Sequence, residues 1–76
     1  MDDKRRERLL RLMEIFETAV GDERKAQELY RRGKNDCDDD PERAALFDWL
    51  YKEEVRHEQA LLEHYAILKK SLSAQA

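Results

Sequence analysis

Seventy-six residues, 43% of them Asp, Glu, Lys or Arg, make a single domain the ceiling, since domains usually run to ~100–150 residues. The apolar share of 41% is too high for a disordered chain and thin for a monomer that must enclose its own core. A net charge of −3 gives no electrostatic reason to hold nucleic acid, and one cysteine excludes an internal disulfide framework or a four-cysteine metal site within one chain.

No apolar run exceeds four residues, so the sequence offers neither a membrane span nor the h-region of a signal peptide, and the expected compartment is the cytoplasm. Two Gly and one Pro argue for long helices over a turn-rich β fold. The first apolar series is Leu9, Leu12, Phe16, Ala19, Ala26 and Tyr30, with Met13 and Val20 widening the stripe. Steps of three and four keep one helix face against a partner. This spacing predicts a helix over 3–34, ended by a left-handed cap at Gly33 or Asn35.

Residues 35–40, Asn-Asp-Cys-Asp-Asp-Asp, form the expected loop, and Pro41 opens a second helix over 41–72. An Asp side chain before Pro caps free amide groups, and Pro is tolerated where its missing N–H is not needed. The second apolar series is Phe47, Leu50, Leu61 and Leu68, flanked by Trp49, Leu62, Tyr65 and Leu72; the tail from Ser71 is expected to fray. The fold class is therefore all-α, an antiparallel two-helix hairpin about 45 Å long. One hairpin cannot enclose its apolar faces, which predicts a homodimer or higher homo-oligomer closing into a four-helix bundle.

The gaps in the stripes carry the functional information. Glu23 occupies the seam position between Ala19 and Ala26, and Glu54 and His57 occupy those between Leu50 and Leu61. A carboxylate in a bundle core costs several kcal/mol unless it is paired, protonated or bound to a cation. Measured from the loop, Glu23 lies at ~16 Å, Glu54 at ~20 Å and His57 at ~24 Å, levels that agree within about a turn. Two copies then contribute two Glu23 carboxylates and two Glu-x-x-His pairs, the ligand set of di-iron and di-manganese carboxylate bundles. Four carboxylates neutralise two divalent cations, and imidazole suits iron.

The stretch from Glu23 to Tyr30, then Asp40-Pro41-Glu42, Phe47, and Lys52-Glu53-Glu54-Val55-Arg56-His57, resembles a rubrerythrin-like half-ferritin of the ferritin-like superfamily, a plan shared by encapsulated ferritins. The match spans residues 19 to 68. Carried over position by position, the resemblance implies Glu23, Glu54 and His57 as ligands of a di-iron centre at a dimer interface. It further implies ferroxidase activity, the oxidation of Fe(II) by dioxygen or peroxide, with two iron ions per dimer and manganese or zinc as substitutes. Glu54 is the expected bridging carboxylate, Glu23 a terminal ligand and His57 the nitrogen ligand. The chain departs from the family's longer members at Ala26, where a second Glu would sit, at Leu29, where encapsulated ferritins carry Trp, and in lacking a rubredoxin-type cysteine set.

A hairpin dimer has no room for mineral, so iron storage would need a cage or an encapsulin-type shell, which would place the protein inside a nanocompartment. The alternatives are a peroxide reductase served by an external electron donor, and a metal-free helical oligomerisation module whose polar seam residues fix register. Around the three ligands, Tyr30, Glu53, Glu58 and His64 are candidates for supporting or access roles. An interior Tyr with a bonded hydroxyl, a solvated charged face and a partly wet bundle-end His are the plainer explanations. The Asp-rich loop opens like a calcium loop but fails it, with Pro41 at the sixth position and Phe47 at the twelfth.

Overall fold

Both amphipathic series become helices in the computed structural model, which describes residues 3–74. Helix α1 spans Asp3–Asn35 and α2 spans Pro41–Ala74, and they pack along their length as a hairpin 58 Å long. No strand occurs among the described residues.

The turn follows from local chemistry. Helix α1 leaves through a last four-residue bond, Asp36 N–H to the Arg32 carbonyl, and then three-residue bonds from Cys37 N–H to the Lys34 carbonyl and Asp40 N–H to the Cys37 carbonyl, all at 3.1 Å. Asp40 then accepts from the Arg43 amide at 3.2 Å through Oδ1, the N-cap expected before Pro41. The left-handed cap expected at Gly33 or Asn35 does not form, since no described residue has positive φ. The three-residue bonds close the turn without it. Both residues belong to α1, which thus runs one residue further than its pattern predicts. Helix α2 continues to Ala74, past the expected end at 72. Ser71, Ser73 and Ala74 include no Gly or Pro to stop it. The rest of the expected frayed tail, residues 75 and 76, lies outside the described residues.

Close packing concentrates near the loop. A Cβ placed on Gly33 would come within 2.7 Å of the Phe47 ring. Gly33 therefore serves as the flat seat on which Phe47 rests, and Tyr30 flanks the same ring at 6.4 Å between centroids. Lys34 reaches across to Asp48 at 2.9 Å, and Asp48 also holds Lys52 at 2.9 Å. Arg31 donates to the Tyr51 hydroxyl at 3.2 Å and lies over its ring.

The interior is thin along the whole hairpin. Val20 is the one buried hydrophobic residue among those described, and Ile15, Trp49 and Ile67 are 61%, 57% and 59% exposed. At 100° per residue these three fall on the sides of α1 and α2 turned away from the interhelical seam. Two helices make one layer, and one layer leaves one face of each stripe in water.

Candidate metal centre

Glu23 points from α1 into the seam with α2 because it shares a stripe with Phe16 and Tyr30, one heptad away on either side. Glu54 and His57 stand three residues apart on α2, so their side chains rise from one face. Helical side chains lean toward their own N-terminus, which in an antiparallel pair brings Glu23 and the α2 residues together. The ~16 to ~24 Å spread of heights along the helices closes in this way. One oxygen of each carboxylate and one imidazole nitrogen lie within 4.8 Å of one another. His57 Nδ1 is 3.5 Å from Glu23 Oε2 and 3.6 Å from Glu54 Oε2.

The three groups differ in their access to water. The Glu23 and Glu54 side chains keep only 22% and 19% of their exposure, whereas His57 keeps 55%. The cluster therefore opens outward through the imidazole and is walled inward by the carboxylates. Glu23 Oε2 is buried and accepts no hydrogen bond. An unsatisfied buried carboxylate oxygen is costly, and a cation between the three donors would relieve it. Hard oxygen donors with one imidazole suit iron, manganese or zinc. The residues present fit such an ion.

A clamp that the apolar pattern does not reveal sits behind the cluster. Gln27 donates to Glu58 Oε1 at 2.9 Å, and the same amide reaches the Glu54 carbonyl at 3.5 Å. Arg24 approaches Glu58 Oε1 at 3.3 Å. Gln27 lies one turn after Glu23 and Glu58 one turn after Glu54, so the clamp ties the two turns that carry the candidate donors to each other. Glu58 thus takes a supporting place, with Gln27 and Arg24 as partners that sequence reasoning passed over. The readable signal was a glutamine four residues after a seam glutamate, on a helix otherwise rich in charged residues.

The other candidates stand apart from the cluster. Glu53 pairs with Arg56 on its own helix, and Tyr30 lies one heptad toward the loop against Phe47. His64 stacks on Phe16 at 6.3 Å with the rings 23° apart, one heptad toward the other end. Tyr65, beyond it, donates to Glu17 Oε1 at 2.7 Å. The negative Glu17 carboxylate beside that hydroxyl holds the Tyr65 phenol above its ordinary range.

No protein-family model matches the chain, and comparison with curated proteins and with solved structures finds no match. No helix among the described residues is long and apolar enough to cross a membrane.

Proposed function

We propose that two copies of the hairpin close into a ferritin-like four-helix bundle, and that Glu23, Glu54 and His57 of each copy hold a pair of metal ions between them. The likeness is to rubrerythrin-like half-ferritins, and the activity proposed is that of a ferroxidase. The observation that carries this reading is the convergence of three donor atoms within 4.8 Å around a buried carboxylate oxygen with no hydrogen-bond partner.

Fe(II) bound there supplies the electrons, one per ion, that reduce dioxygen or peroxide. The protein's part is electrostatic and steric. Two copies bring four carboxylates, whose charge matches two divalent ions and favours the higher oxidation state that follows. His57 adds a nitrogen donor at the open side of each trio, where an oxidant can approach. The Gln27–Glu58 clamp holds the backbone of the Glu54 turn while charge at the ligands changes. Ferric product would pass to storage in a cage or an encapsulin-type shell. A peroxide reductase with an external electron donor uses the same residues and is separated by its preference for hydrogen peroxide over dioxygen.

The test is iron content and the rate of Fe(II) oxidation for the wild type and for Glu23→Ala, Glu54→Ala and His57→Ala. Each variant is expected to lose bound iron and to oxidise Fe(II) no faster than buffer. A chelator is expected to lower the melting temperature, because bound metal stabilises the folded state by mass action. Variants that oxidise as the wild type does would overturn the reading.

A metal-free helical module is the second reading, and one contact favours it. A protonated His57 would lie between the Glu23 and Glu54 carboxylates, at 3.5 and 3.6 Å, as an internal ion pair. In that case a chelator leaves the melting temperature unchanged and no metal co-purifies.

A further inference from the structure

The two flanks of the interhelical seam differ in chemistry. By helical rotation, His57 stands about 60° to one side of Glu54 and Glu58 about 40° to the other. Ala19 and Ala26 on α1, and Leu46 and Leu50 on α2, fall on the His57 flank by the same count. The opposite flank is polar. It carries the Lys34–Asp48, Arg31–Tyr51, Arg24–Glu58 and Tyr65–Glu17 crossings between the helices. Two copies that share a pair of ions turn their apolar His57 flanks toward each other. Water then approaches the level of the trio along the polar flank, where Arg24, Gln27 and Glu58 stand in the way.

Glu58 does not serve stability at its position. It occupies the seam one turn after Glu54, on the stripe that continues with Leu61 and Tyr65. Its side chain keeps 20% of its exposure, so the carboxylate is largely stripped of water. The compensation is one-sided. Gln27 at 2.9 Å and Arg24 at 3.3 Å both hold Oε1, and no partner among the described residues engages Oε2. The Arg24 side chain is 62% exposed, and an ion pair so placed contributes little to stability. A groove of about 300 Å³ lined by Glu17, Val20, Arg24, Leu62 and Tyr65 opens beside it. The guanidinium therefore has room to swing off Glu58.

We propose that Glu58 is a transfer site for divalent cations on their way to the trio, and that Arg24 is its gate. The inference rests on the shared metal centre proposed above and names its route of entry. With Arg24 seated, its positive charge occupies the carboxylate and repels an approaching cation. Once the guanidinium swings out, Glu58 takes the ion through Oε2 and passes it to Glu54, whose Cβ is about 5–6 Å away at this spacing. Gln27 keeps its bond to Oε1, so the carboxylate stays aimed at the Glu54 turn. A divalent cation displaces the guanidinium more readily than a monovalent one, because Coulomb attraction scales with charge.

Stopped-flow binding of Co(II), followed by the d–d absorbance of the bound ion, reads this route without any oxidation step. Entry and exit share one path, so a transfer site governs both rates and leaves their ratio nearly unchanged. Glu58→Gln keeps an acceptor for Gln27 and loses the charge. It is expected to slow loading, and release to a chelator, alike by roughly tenfold. Arg24→Gln alters an exposed side chain that the fold does not need, and is expected to speed loading roughly threefold or more. Loading at the wild-type rate in either variant would overturn the inference. So would a Glu58→Gln protein that binds more weakly through faster release alone, the behaviour of a permanent ligand or a structural clamp. Wild-type protein that gives no bound-Co(II) absorbance at all would instead remove the metal centre, and the inference with it.

Discussion

The half of the hairpin next to the loop and the half beyond the site are built to different standards. Near the loop, Phe47 is pressed against Gly33, Asp40 caps α2, and Lys34 and Arg31 cross to Asp48 and Tyr51. Beyond the site, the named cross-helix contacts are Phe16 on His64 and the Tyr65–Glu17 hydrogen bond, beside Val20, the one buried apolar residue among those described. The first half defines the hairpin from within one chain. The second half holds the buried Val20 with fewer polar crossings, exposed apolar side chains run along both halves, and the donor trio falls at the boundary between them.

Substitutions can break that contrast or sharpen it. The largest effect is expected at Gly33. Gly33→Leu would push the Phe47 ring from its seat and destabilise the protein by about 1–3 kcal/mol, as overpacking typically does, read by chemical denaturation at fixed protein concentration. A loss as large from an insertion at the half-buried Ala19 beyond the site, Ala19→Leu, would erase the contrast. Asp40→Ala removes the cap of α2 and is expected to cost about 1 kcal/mol. Gln27→Ala breaks the clamp behind the cluster and should cost about 0.5–1.5 kcal/mol, with Gln27→Glu failing to rescue because it would face Glu58 as a like charge.

Gly21→Ala has the opposite sign. Nothing lies within 4 Å of the Cβ it would add, so it should stabilise α1 by about 0.5–1 kcal/mol. The smallest effect concerns acid. Hydrogen bonds from Lys52 and Lys34 hold the Asp48 carboxyl below its ordinary range. A depressed folded pKa contributes stability above the unfolded value, lost as pH falls through the folded one. Asp48→Asn should therefore lower the melting temperature slightly at neutral pH and flatten its decline below the ordinary carboxylate range, where the two proteins converge.

Much of this architecture is legible in the sequence because it is local. Three-and-four spacing, the Asp40-Pro41 start and the low Gly and Pro content each act within a few residues. The levels of Glu23, Glu54 and His57 are legible too, since helical rise converts sequence distance to height. What escapes is contact between the helices. Gly33 reads as a terminator in sequence, and its role as the seat of Phe47 depends on a residue 14 positions away. Gln27 reads as one polar residue among many on a charged helix, and only its approach to Glu58 and the Glu54 carbonyl gives it a purpose. Glu53 reads as a neighbour of the ligands, yet its own helix offers Arg56 at shorter reach.

The most direct test of the proposed shared metal centre is native mass spectrometry of iron-loaded protein, which reports copy number and metal content on one sample. The expected species is a dimer, or a larger even assembly, carrying one iron per chain, with the iron lost in Glu54→Ala. A metal-free single hairpin under the same conditions would contradict it.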